Sequence, residues 1–188
     1  MRTKPLLHSL MASALLTLGI VSTAPAQTAT FARINDAVAG RCYDPATTAP
    51  DTANLNRLKI GIHPTTLTGT SCYASDNGPS LMTDTISFYI EAPAGHYISK
   101  ITFTQSGKTS GSRGGRGFRS ATWVVADKAY TVPTTASGWT GSIDLSLKRK
   151  TLIPVSITTY LAAYGGTVRS GSASASNPVV MVDLAPLQ

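Results

Sequence analysis

Glutamate is almost absent from this chain: Glu91 is the only one in 188 residues. Acidic residues of both kinds number 9, and charged residues of either sign make up 13 %. A carboxylate-pair glycosidase needs two acids facing each other across a cleft. Asp44, Asp51, Asp76 and Asp84 instead sit in turn-rich stretches, where Asp commonly closes Asx turns. Calcium needs clustered oxygen ligands. Asp76, Asn77 and Asp84 are the one local concentration, plain turns account for them, and no metal site is expected. Histidine is also scarce, at 3 residues. His63 ends a strand before Pro64 and His96 lies in a turn, and no GxSxG elbow accompanies them. A hydrolase using His63 or His96 is therefore only an alternative, and the chain is read as non-catalytic. Two cysteines, without a CxxC pair or a neighbouring His, are too few for a zinc set. Gly107-Lys108-Thr109 ends like a phosphate-binding loop, but Thr102 stands where that loop needs glycine. No cofactor is expected.

Long hydrophobic runs are also missing. The greasiest stretch, Leu10 to Val21, is about a dozen residues, short of the ~20 that span a bilayer. Arg2 and Lys4 precede it and Ala24-Pro25-Ala26 follows, the pattern of a secretory signal peptide cut after Ala26. The signal looks bacterial, so the expected destination is the periplasm or the cell exterior. Residues 27–188 are then one domain of about 160 residues with no membrane span. An oxidising compartment makes a Cys42–Cys72 disulfide the expectation. Closing a loop of about 30 residues, it would stabilise the fold by roughly 3–4 kcal/mol.

What is present is alternation. Ile86, Phe88 and Ile90 trade places with Thr85, Ser87 and Tyr89. Tyr97, Ile101 and Phe103 trade with Lys100, Thr102 and Thr104. A period of two gives each strand one dry and one wet face. Pro93 and Gly95 between them are turn formers, which predicts a β-hairpin over Thr85 to Gln105. Leu58, Ile60 and Ile62 alternate in the same way, as do Ile143, Leu145 and Leu147, then Val155, Ile157 and Leu161. Gly40 to Asn56 reads as a long loop, and Ser170 to Ser176 as a loop or an edge strand before a last strand, Val179 to Leu184. Seven to nine short strands without a helical period predict an all-β chain, a single antiparallel β-sandwich. A closed barrel is the alternative.

The turn from Glu91 through Ala92, Pro93, Ala94, Gly95 and His96 to Ile101, and the late pair Ile153–Ala163 with Gly171–Ser176, resemble secreted bacterial β-sandwich domains of PEP-CTERM-type exported proteins. The likeness spans a minor part of the chain. The end of this chain departs from that pattern, with no Pro-Glu-Pro, hydrophobic span or basic tail in Asn177 to Gln188, so anchoring by that route is not implied. The resemblance implies a fold and a surface or matrix address, without assigned chemistry.

Removing Arg2 and Lys4 leaves 14 basic residues against 9 acidic ones, a net charge of +5 that favours anionic partners. Lys108, Arg113, Arg116 and Arg119 lie within twelve residues, the first three in a glycine-rich stretch, Ser106 to Gly117, read as a flexible connector, and Arg119 just after it beside Phe118 in a strand read over Phe118 to Ala126. Arg forks pair with carboxylate, sulfate or phosphate. In an exported protein this favours an anionic polysaccharide or lipopolysaccharide over intracellular nucleic acid. Lys148 to Lys150 would extend the patch if the two loops share one end of the sandwich. Trp139, in a Ser-Gly-Trp-Thr-Gly turn, is the candidate stacking residue, and alternation points Tyr89 and Tyr160 outward. The expected function is that of a surface or extracellular-matrix module binding anionic glycan. The alternative is a structural subunit that self-assembles through a sheet edge such as Val179–Leu184.

Overall fold

The computed structural model of the chain describes residues 27–36, 42–63, 71–75, 81–132, 137–164 and 170–188, with backbone alone at 71–75, 132, 170 and 177. The expected signal peptide, and Asp76 and Asn77 of the weighed calcium loop, lie outside the described residues.

Among the described residues, eleven strands form two antiparallel sheets packed face to face as a β-sandwich, not closed into a barrel. They are β1 (Thr30–Asp36), β2 (Tyr43–Asp51), β3 (Asn54–Ile62), β4 (Ser71–Ser75), β5 (Leu81–Glu91), β6 (His96–Ser112), β7 (Arg116–Val125), β8 (Lys128–Val132), β9 (Gly138–Asp144), β10 (Leu152–Tyr164) and β11 (Ser170–Pro186). One sheet runs β1-β5-β10-β7-β8. The other runs β2-β3-β11-β6-β9, with β4 also paired to β11.

The expected hairpin over Thr85 to Gln105 is an arch instead. β5 pairs with β1 and β10, while β6 pairs with β11 and β9 in the opposite sheet. The turn at Pro93–Gly95 carries the chain across the core, with Gly95 at φ +77° and the His96 amide donating to the Pro93 carbonyl at 3.1 Å. Two apolar rows in sequence do not say whether they lie side by side or face to face. Here they lie in opposite sheets: Ile86, Phe88 and Ile90 enter the common core from one side and Ile98, Ile101 and Phe103 from the other, all six at most 1 % exposed. An irregularity between Asp183 and Leu184 slips the β6 register, so Ile98 rather than Tyr97 turns inward.

Three other expectations change. The proposed loop Gly40 to Asn56 contains β2 and the start of β3. Asp44 organises a register shift there, accepting from the Ala46 amide at 2.9 Å and the Thr47 hydroxyl at 2.8 Å. Leu147 is not inward: β9 ends at Asp144, whose carboxylate caps the Ser146 amide at 2.9 Å, and Leu147 is 99 % exposed in the turn. Ser170 to Leu184 is neither loop nor edge. It lies within the 17-residue strand β11, paired along one side with β6 and along parts of the other with β3 and β4. Val179 to Met181 are therefore no free edge, being paired with both β3 and β6, while Val182 to Leu184 are paired with β6 alone.

Cys42 is fully buried, and there is no free cysteine among the described residues. Cys72 lies on β4, opposite Ala175 of β11.

Candidate functional site

The basic, glycine-rich stretch is not a flexible connector. β6 runs through it to Ser112, a tight turn follows in which the Gly115 amide donates to the Ser112 carbonyl at 2.8 Å, and β7 leaves at Arg116. β6 and β7 belong to opposite sheets, so this turn closes one end of the sandwich. Glycine is there to let the sheets converge. A Cβ on Gly117 would stand 1.7 Å from the Ser172 carbonyl oxygen, and one on Gly171 would stand 2.3 Å from that of Arg116. Backbone meets backbone across a layer that is ordinarily about 10 Å thick.

This taper scatters the four basic candidates. Lys108 is exposed on the outer face of the β6 sheet, opposite Ser174 of β11. Arg113 sits at the turn tip with φ 52°. Arg116 is exposed on the outer face of the β7 sheet. Arg119 points inward and is only 2 % exposed, which corrects its expected role as a surface contact. Burial also holds its guanidinium below the ordinary arginine pKa.

Lys148 to Lys150 do not extend the patch. Lys150 accepts from the Ile98 amide near the start of β6, whereas Arg113 follows its end. The fifteen residues between Ile98 and Arg113 put these groups roughly 50 Å apart at about 3.3 Å per residue.

Trp139 is not a loop contact either. It lies on β9, half-buried, stacked on Phe103 with ring centroids 4.6 Å apart. Phe103 also stacks on Trp123 at 4.5 Å and meets Tyr130 edge-on at 5.5 Å, so Trp139 completes an aromatic cluster between the sheets. The sequence shows a Trp among turn formers; the cross-strand pairing that turns it inward is long-range.

The structure does assemble a different group on the outer face of the five-stranded sheet, near the closed end. Phe118 on β7 lies opposite Ala162 on β10 and is 41 % exposed. Tyr160, one pleat along β10, meets the Phe118 ring edge-on at 5.7 Å. Tyr164, four residues further on the same face, is 60 % exposed and lies opposite Arg116. The neighbouring Tyr164 hydroxyl raises the Tyr160 pKa. Leu81 of β5, 54 % exposed, flanks Ala162 on the other side. Alternation along β10 placed Tyr160 outward; carrying the same count to Tyr164 would have found the rest.

Further along that face is a shallow groove of ≈ 300 Å³, lined among others by Ser87, Tyr89, Val124, Asp127, Pro154 and Ser156. Arg33 lies over the Tyr89 ring at 5.4 Å. Aromatic rings and hydroxyls thus run along one side of β5 and β10, with arginines at both ends.

Neither histidine is part of this face. His63 follows β3, its amide bonded to the Cys42 carbonyl at 2.9 Å, and His96 opens β6 beside the Ala94 carbonyl. No group of three or more metal-ligating side chains occurs among the described residues. No helix there is long and apolar enough to cross a membrane.

No family model matches the chain. No curated protein matches it. Among solved structures, it is similar to TmCBM61 in complex with beta-1,4-galactotriose, at 13 % identity and a TM-score of 0.43, over 81 % of this chain and 88 % of that one. A similarity of that size carries no functional inference.

Proposed function

We propose that the chain is an exported, non-catalytic glycan-binding β-sandwich, and that its binding surface is the outer face of the five-stranded sheet around Phe118, Tyr160 and Tyr164. The observation carrying this reading is a group of rings, exposed at Phe118 and Tyr164 and half-buried at Tyr160, held on rigid strands with Arg116 opposite Tyr164. Flat rings on fixed backbone stack on sugar faces with little entropy to lose. The Arg116 fork, with Arg113 at the adjoining tip, suits the carboxylate or sulfate of an anionic polysaccharide. Export and the Cys42–Cys72 bridge belong to the same reading; intact mass before and after alkylation, with and without reductant, tests the bridge.

Heparin-column retention of the mature chain tests the function. The double variant F118A/Y160A and the single variant R116A should both elute earlier than wild type, while K148A should elute slightly earlier only in proportion to its lost charge. Unchanged retention of F118A/Y160A contradicts the reading. A second reading, self-association through the same face, is favoured by exposed Leu81 beside Phe118. Light scattering separates the two, since a persistent monomer opposes it.

A further inference from the structure

Arg119 is a buried cation with no counter-charge among the described residues. It is 2 % exposed, its Nε has no hydrogen-bond partner, and it forms no ion pair among the described residues. Its guanidinium crosses the sandwich and lies against the backbone of β6: a Cβ on Gly107 would stand 2.0 Å from Arg119 Nη1. The inward positions around it on β6, β7 and β11 are small, with Gly107, Ala121, Ala173 and Ala175, while its register partner on β10 is the buried Leu161. Asp84, a buried acid one pleat along in register, is already engaged. Its carboxylate accepts from the Cys42 and Tyr43 amides at 2.8 and 2.9 Å and from the Thr85 amide at 2.8 Å.

An unpaired charge in such a place costs several kcal/mol, and apolar side chains of similar volume are usually better tolerated there. A second orphaned donor, Trp123 Nε1, lies four residues along the same inward face. A third orphaned atom, Gln105 Oε1, is an acceptor and suits a bridging water. An unsatisfied cationic donor calls for an acceptor of negative charge.

We propose that Arg119 is the centre of an internal binding site for a small oxyanion, a carboxylate or a sulfate, inside the tapered end of the sandwich. The slight exposure of the side chain admits a small ion and not a sugar ring, so this site is separate from the outer aromatic face. A planar carboxylate or one edge of a sulfate matches the two-pronged fork. Bound there, the ion neutralises the buried charge and ties β7 to the β6 backbone, stabilising the closed end.

The test is thermal melting of the mature chain in sodium acetate, sodium sulfate and sodium chloride at matched ionic strength, beside the variant R119M. Wild type should melt several degrees higher at saturating acetate or sulfate than in chloride. R119M should melt above wild type in chloride, and the oxyanion salts should raise it only by the general salting effect. A rise in acetate alone assigns a carboxylate, in sulfate alone a sulfate, and in both the shared chemistry. Should R119M fail to fold, the Nε–H resonance of Arg119 in the wild-type chain gives the answer by its titration with acetate or sulfate. A saturable shift supports the site. Equal salt responses in wild type and R119M, an R119M that melts well below wild type, or an Nε–H signal that does not move would each overturn it.

Discussion

Gly117→Ala is the sharpest probe of the closed end. The added Cβ would lie 1.7 Å from the Ser172 carbonyl oxygen and 3.1 Å from that of Ser110. Ordinary contact begins near 3.4 Å, so β7 must move away from β11 by well over an ångström. The obstacle is backbone, already bonded within its own sheet: Ser172 pairs with both Ser75 and Ser110. No side-chain rotation relieves the clash. Overpacking into a rigid site costs about 1–3 kcal/mol, and this geometry belongs at the top of that range. For a domain of about 160 residues each kcal/mol moves Tm by roughly 2–4 °C, so the loss should be roughly 6–12 °C. Gly138→Ala is the matched control, because its Cβ would meet a single atom, the Gln105 carbonyl oxygen at 3.9 Å. Thermal melts followed by circular dichroism decide it. Equal melting of the two variants, or a Gly117→Ala loss under about 2 °C, the shift of less than ~1 kcal/mol, would refute the convergence argument.

Other perturbations read other parts of the sandwich. Trp139→Ala removes a ring stacked on Phe103 and should cost about 2–4 kcal/mol in a urea melt, with heparin retention unchanged. Loss of retention without loss of stability would restore Trp139 as a contact. Tyr43→Phe deletes a fully buried hydroxyl bonded to Thr159 and should cost about 1 kcal/mol, because the Thr159 hydroxyl still accepts from Gln105 Nε2 at 3.4 Å; no change would mean that bond contributes nothing. Asp84 has a raised pKa, chiefly through burial and also through its hydrogen bond with Asp36. The folded chain therefore holds that proton more tightly than the unfolded chain. The associated stability is full below the ordinary value of 3.8 and is lost as pH rises through the raised one. The gap in urea midpoint between wild type and Asp84→Asn should shift against wild type as pH climbs above that value, and a gap shifting the other way would contradict the assignment.

Local alternation carried much of the fold. Leu58 and Ile60, Ile86 to Ile90, Ile143 and Leu145, and Val155 to Leu161 all face inward as their period implies. Pairing was not legible in it. Whether β5 and β6 join as a hairpin or arch across the core depends on partners tens of residues away, β10 for one and β11 for the other. The glycine-rich stretch misled for a related reason. Glycine serves flexible chain and close backbone approach alike, and only the position of Ser172 opposite Gly117 separates them. The same convergence buried Arg119, which composition alone groups with Arg113 and Arg116. Of the expected contacts, Arg116 stays on the favoured face, joined there by Tyr160 and Phe118, while Lys108 turns to the other sheet.

The glycan reading is tested most directly by amide NMR of the labelled mature chain titrated with a heparin oligosaccharide. It predicts saturable shifts clustered on β7 and β10 at Arg116, Phe118, Ser120, Tyr160 and Tyr164. Shifts absent there, or centred instead on Lys148 to Lys150 or on the outer face of β6 and β11, would contradict it.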